Sequence, residues 1–124
     1  EYKRDIKEWT LEFAVSIVKF SEELKKNKID IDVVSQIRRS GTSVGANVTE
    51  GKASSSRKEL VRYYDIALRS ANETSFWLEL IKRSYNIDPK RIDKIKEELT
   101  QIEKVIAKII VNLKKDSSVK LKTH

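Results

Sequence analysis

Apolar positions recur at helical spacing in four blocks along the chain. In the first, Ile6, Trp9, Phe13, Ile17, Phe20 and Leu24 follow one another at steps of three or four. That period is close to 3.6 and predicts an amphipathic helix from about residue 3 to 26. The polar run Lys25-Lys26-Asn27-Lys28 ends it, with Asn27 as the expected left-handed cap. In the second block Val34, Ile37, Gly41, Val44 and Val48 form a helical seam that begins near Asp30 or Asp32 as cap and stops at Gly51. Ser56 followed by Glu59 is a capping box opening the third helix. There Leu60, Tyr64, Ala67, Ala71, Thr74, Leu78, Ile81 and Tyr85 alternate steps of four and three, and Val61, Leu68, Tyr63 and Trp77 widen the stripe. Asn86 is its expected end. Asp88-Pro89 then supplies cap and first residue of a fourth helix, along which Ile92, Ile95, Leu99, Ile102, Ile106, Ile109 and Leu113 hold a heptad.

Four such helices joined by short connections predict an all-α fold, an up-down-up-down antiparallel four-helix bundle over residues 1–115, followed by a flexible basic tail at 116–124. The pattern holds more apolar surface than one bundle stripe needs. Ser40 to Thr49 carry no charge in a chain that is 36% charged, and Gly41 and Gly45 each forgo about 1 kcal/mol of helix propensity relative to alanine. Packing close to the backbone must offset that loss. Val105–Val111 holds a single charge, Lys108, and Leu11, Val15 and Val18 add apolar positions outside the first seam. Excess of this kind marks an interface, and self-assembly into a homo-oligomer is the simplest form of it. Gly41, Val44, Gly45, Asn47, Val48, Glu50 and Ile110 are the candidate subunit contacts. The alternative is a tilted packing that buries all of this surface within one protomer.

Composition narrows the chemistry. There is no cysteine, and the one histidine is the terminal His124, so disulfides, thiolate metal sites and the usual general base have no candidates. The inward positions carry no carboxylate. Glu50 adjoins the uncharged run, where a partner for Arg38, Arg39 or a neighbouring subunit is a better role for it than catalysis. The expectation is a protein that is not an enzyme and needs no cofactor or metal. Without a membrane-spanning run or a signal-peptide layout, the chain reads as cytoplasmic.

A net charge of +7 points to polyanionic partners, nucleic acid first, although a lysine-rich soluble surface would give the same total. Arg62, Arg69 and Arg83 share one outer stripe of the third helix with Phe76 between them, a pattern that suits phosphate contact and base stacking. Asp65 and Glu79 lie within pairing reach, so a salt-bridged solvated face is the competing reading. Lys52, Arg57 and Lys58 surround the serine-rich start of that helix, where free backbone amides could seat a phosphate; an ordinary polar turn is the alternative. Arg38 and Arg39 complete the candidate nucleic-acid set, pointing about 100° apart on the second helix. Asn47-Val48-Thr49 and Asn72-Glu73-Thr74 match the glycosylation pattern but fall inside predicted helices.

Gln36-Ile37-Arg38-Arg39-Ser40, Ser43-Val44-Gly45-Ala46-Asn47-Val48-Thr49-Glu50-Gly51, Ser56-Arg57-Lys58-Glu59 and Ala67-Leu68-Arg69-Ser70-Ala71-Asn72-Glu73 resemble the four-helix bundle family encoded by intervening sequences in bacterial 23S ribosomal RNA genes. Ser40 and Gly41 stand where that family often has alanines, and Val44 and Val48 where it has isoleucines, swaps that keep the small and β-branched character. The resemblance covers nearly the whole chain. It implies a homo-oligomer, typically a pentamer. It also implies kinship with the accessory variability determinant proteins of diversity-generating retroelements, which resemble basic pentameric bundles that bind a reverse transcriptase and its template RNA. On that resemblance Arg38, Arg39, Ser43, Asn47, Glu50 and Gly51 are motif positions with structural tasks. The expected function is a basic oligomeric bundle that binds structured RNA, as a scaffold of a ribonucleoprotein. The alternative is an adaptor ring that recruits proteins.

Overall fold

The computed structural model describes the backbone of residues 4–122 and the side chains of residues 4–116. Four helices follow in order: α1 (Ile6–Lys26), α2 (Ile31–Ala53), α3 (Arg57–Ser84) and α4 (Pro89–Lys122). Short turns return each helix alongside the one before it, giving the four-helix bundle. Each helix starts in the same manner. A short polar side chain accepts from a backbone amide two or three residues on: Asp5 from Lys7 at 3.0 Å, Asp30 from Asp32 at 2.8 Å, Ser56 from Glu59 at 3.1 Å and Asp88 from Lys90 at 3.0 Å. One of the orphan donors of each helix is thereby satisfied.

The helix ends correct three sequence expectations. Lys28, not Asn27, takes the left-handed conformation, with φ of 60°. It closes a Schellman motif, in which the Ile29 amide reaches the Leu24 carbonyl at 3.1 Å and the Lys28 amide reaches that of Lys25 at 3.0 Å. Ile29 is buried beside Leu24, so the apolar residue after the turn decides which position bends. Gly51 does not stop α2, which runs through to Ala53; the Ser54 hydroxyl and amide then cap the Gly51 carbonyl at 2.6 and 3.1 Å. α3 ends at Ser84, before Asn86, because Tyr85 turns extended and tucks its half-buried ring against the core. The backbone of α4 continues to Lys122, so the segment expected as a tail begins as helix. The side chains of residues 117–124, and with them the tail's basic surface, lie outside the described residues.

Side-chain size sets the spacing between helices. A Cβ at Gly41 would meet Ile17 Cγ2 at 2.8 Å, and one at Gly45 would meet the Thr10 carbonyl oxygen at 2.8 Å. The backbones of α1 and α2 therefore approach closely. On the opposite flank of α2, a Cβ at Gly51 would meet the Tyr64 ring at 2.9 Å, and the small residues Ala67, Ser70 and Ala71 of α3 allow similar proximity. Hydroxyls pair across this narrow seam: Thr74 donates to Ser40 at 2.9 Å, and Ser43 and Ser70 lie 2.9 Å apart. α4 stands off from α1, and the space between is filled by large side chains, among them Phe13, Phe20, Ile92, Leu99, Ile102 and Ile106, all nearly inaccessible to solvent. The buried seam of α4 shifts from Ile109 to Ile110 at its end, since a straight helix drifts off a strict seven-residue repeat.

Candidate functional site

The uncharged run of α2 turns out to be internal on most of its circumference. Val44 and Val48 have no exposed surface, and Gly41 and Gly45 press on α1. Ile110 is 6% exposed and belongs to the bundle core. Gly41, Val44, Val48 and Ile110 are thus spent on the protomer's own core, against the expectation that they line a subunit interface, while the backbone of Gly45 floors an open groove. Asn47 is largely committed as well, donating to the Ser43 carbonyl at 2.8 Å and its hydroxyl at 2.9 Å. Of the expected contacts Glu50 stays exposed. It makes no ion pair with Arg38, Arg39 or any other described residue.

An apolar groove nevertheless exists one step round the helix. It runs between α1 and α2, with Leu11 and Ala14 as one wall, Thr42, Ala46 and Thr49 as the other, Gly45 in its floor and Glu50 at its lip. Leu11 is 55% and Val15 46% exposed. The inward seam and the outward small residues of α2 are both uncharged, so the pattern of charge did not separate the buried face from the grooved one. A second apolar feature stands on α3. Phe76 is 57% exposed, with its ring edge-on to Trp77 at a centroid distance of 5.0 Å, and the Trp77 indole donates to Glu73 at 3.1 Å.

The structure separates the basic candidates by their partners. Arg38 reaches Glu22 on α1 at 3.1 Å, where Lys25 and Arg38 together hold the Glu22 carboxyl below its usual range. Among the described residues Arg39 bonds the uncharged Gln36, at 2.8 Å, and no acid. Lys52 lies 3.4 Å from Asp5, whose pKa is lowered first by the Lys7 amide and then by this lysine. Arg62 pairs with Glu59 at 3.1 Å, which raises its pKa, and its guanidinium lies over the Tyr63 ring. Arg83 pairs with Glu79 at 2.7 Å, and Lys96 of α4 holds the other oxygen of the same carboxylate at 2.6 Å. That double contact, from Lys96 first and then Arg83, depresses the Glu79 pKa from 4.5 to about 2. The salt-bridged reading of the α3 stripe therefore applies to its two ends. Arg69, midway, has no acidic partner among the described residues.

Spatially the basic set divides again. The α2–α3 turn brings Lys52, Arg57, Lys58 and Arg62 to one end of the bundle, around the first amides of α3. One guanidinium nitrogen of Arg57 is enclosed there with no hydrogen-bond partner among the described residues. Arg83 sits at the far end of α3, and Arg38 is on the α1 side of α2, so neither joins this cluster.

No described helix is long and apolar enough to cross a membrane. Residues 3–108 match the model of the 23S rRNA-intervening sequence protein family. A comparison with curated proteins gives no significant match. Among solved structures, the chain is similar to a crystal structure from Bacteroides thetaiotaomicron VPI-5482, a protein of unknown function from the S23 ribosomal protein family. The two are 39% identical, over 86% of this chain and 98% of that one, with a TM-score of 0.82. A match over most of the length, on a shared four-helix architecture, places this chain in the 23S rRNA-intervening sequence protein family.

Proposed function

We propose that the protein is a non-catalytic, homo-oligomeric scaffold that binds structured RNA through the basic end of its bundle. The observation that carries this reading is the convergence of Lys52, Arg57, Lys58 and Arg62 around the α3 N-terminus. Free amides and a helix dipole favour an anion there, and the four cations reinforce them. The acids nearby, Asp5 and Glu59, form exposed pairs, and such pairs contribute only about 0–1 kcal/mol each, so a phosphate can displace them.

Assembly multiplies the effect. In a closed ring of five, the subunit number implied by the family resemblance, the same basic end recurs around one rim, and several weak contacts act through a high effective concentration. Such a rim suits a ribonucleoprotein scaffold, including one that holds a retroelement reverse transcriptase on its template.

The test is binding of the purified protein to a structured RNA and to duplex DNA of equal length, across a salt series. RNA binding that weakens steeply with salt and is lost in the Lys58→Glu, Arg62→Glu double variant supports the reading. Absence of binding at low salt overturns it and leaves the adaptor role.

A further inference from the structure

We infer that copies of this chain assemble head to tail, with the Phe76 ridge of one protomer seated in the α1–α2 groove of the next. The inference rests on the homo-oligomer reading above and names the two surfaces that would form the contact.

The groove and the ridge are unlike in shape. The groove is concave because Gly45 brings the α2 backbone against the Thr10 carbonyl, leaving backbone as its floor. Ala14 and Ala46 are too short to fill it, and Leu11 stands exposed at its edge. The ridge is convex: Phe76 projects from α3, is held upright by the Trp77 ring, and has the half-buried Leu80 one turn further on. Two grooves facing each other across a two-fold axis would enclose a void, and two ridges would touch at a point. A ridge in a groove buries both.

Charge is consistent with the same pairing. Glu50 at the groove lip and Arg69 on the ridge stripe have no ionic partner among the described residues, whereas the Arg62 and Arg83 that flank Arg69 along α3 are both paired. Arg69 precedes Phe76 by seven residues, about 10 Å along the helix. With Phe76 in the groove, Arg69 comes within reach of a Glu50 at the groove's end. The two surfaces belong to different faces of the protomer, so the contact is heterologous and closes into a ring when the rotation permits. The basic end around Lys58 takes no part and stays open to RNA.

The test is analytical ultracentrifugation of the wild type, of Ala46→Glu, of Phe76→Glu and of the two variants mixed in equal amounts. Both substitutions are at exposed positions, and circular dichroism checks that the helices persist. The expected result is an assembled wild type, two monomeric variants, and a one-to-one dimer in the mixture. In that mixture the intact ridge of one variant fills the intact groove of the other, and both outer faces are blocked. A second pair of proteins removes dependence on those sites: Arg69→Glu weakens assembly at least tenfold, and adding Glu50→Arg to it restores assembly. If the wild type assembles but Phe76→Glu remains assembled, or the mixture stays monomeric, the ridge-and-groove contact is wrong while the oligomer reading stands. A monomeric wild type overturns both.

Discussion

Single residues in this bundle act mainly by what they lack. Gly41 and Gly45 both occupy helical positions where alanine has the better propensity by about 1 kcal/mol, yet the two differ in what an added methyl would meet. At Gly41 it meets the branched end of Ile17, which can shift; at Gly45 it meets the Thr10 main chain, which cannot without moving α1. Urea denaturation is expected to show Gly45→Ala losing about 3 kcal/mol, the upper end for overpacking, and Gly41→Ala distinctly less. Lys28 poses the opposite case, since it is held at φ of 60° and its exposed side chain makes no hydrogen bond or ion pair among the described residues. A left-handed backbone costs a non-glycine residue about 1–2 kcal/mol, part of which glycine returns as unfolded-state entropy. Lys28→Gly is accordingly expected to raise the stability by about 0.5–1 kcal/mol in the same measurement.

Among the elements, α2 is the one whose neighbours were hardest to foresee. Its spacing of valines and glycines identified a helix, and its freedom from charge identified enclosure, but neither said which side faced α1, α3 or solvent. Hydroxyl pairs settle the α3 side, where Ser40 meets Thr74 and Ser43 meets Ser70. A serine pair three apart on α2 and a serine and threonine four apart on α3 were visible in the chain, although nothing local says that they meet. The α3–α4 pair is joined by ions instead: Glu79 to Lys96 and Lys82 to Asp93, the latter at 2.8 Å. Because the Glu79 pKa is depressed from 4.5 to about 2 on folding, the stability it supplies is complete above about pH 4.5 and is lost as pH falls toward 2. Thermal melts at low ionic strength over that window should show the wild type falling more steeply than Glu79→Gln. The margin is modest, because the carboxylate is a third exposed and solvent screens it.

For the whole molecule, charge and symmetry have to be considered together. If the basic end neutralises about five phosphates, log affinity falls with log salt at a slope of roughly −3.5 to −4.5. Reversing Lys58 and Arg62 should flatten that slope in proportion to the contacts removed, whereas Arg83→Glu, at the far end of α3, should leave it nearly unchanged. Filter binding at several salt concentrations distinguishes the two variants. If the ring forms, a monomeric variant such as Phe76→Glu keeps the same cations per protomer and still binds more weakly, since each copy then acts alone.

The sequence by itself determined the four helices, their order and most of the inward residues, because a helix is written in a local period and each helix opens on a side-chain cap within two or three residues of its partner. It also determined that the chain is basic and that α2 must lie close to its neighbours, since two glycines in a helix need packing to offset their cost. Tertiary structure alone decided which uncharged face of α2 is core and which is groove. It decided that Gly51 serves contact with Tyr64 and not helix termination, and that Arg69 and Glu50 have no ionic partner among the described residues while Arg62 and Arg83 are paired. Those outcomes depend on the distance between helices that are remote in sequence. That distance is set jointly by every side chain in the seam, so no local period contains it.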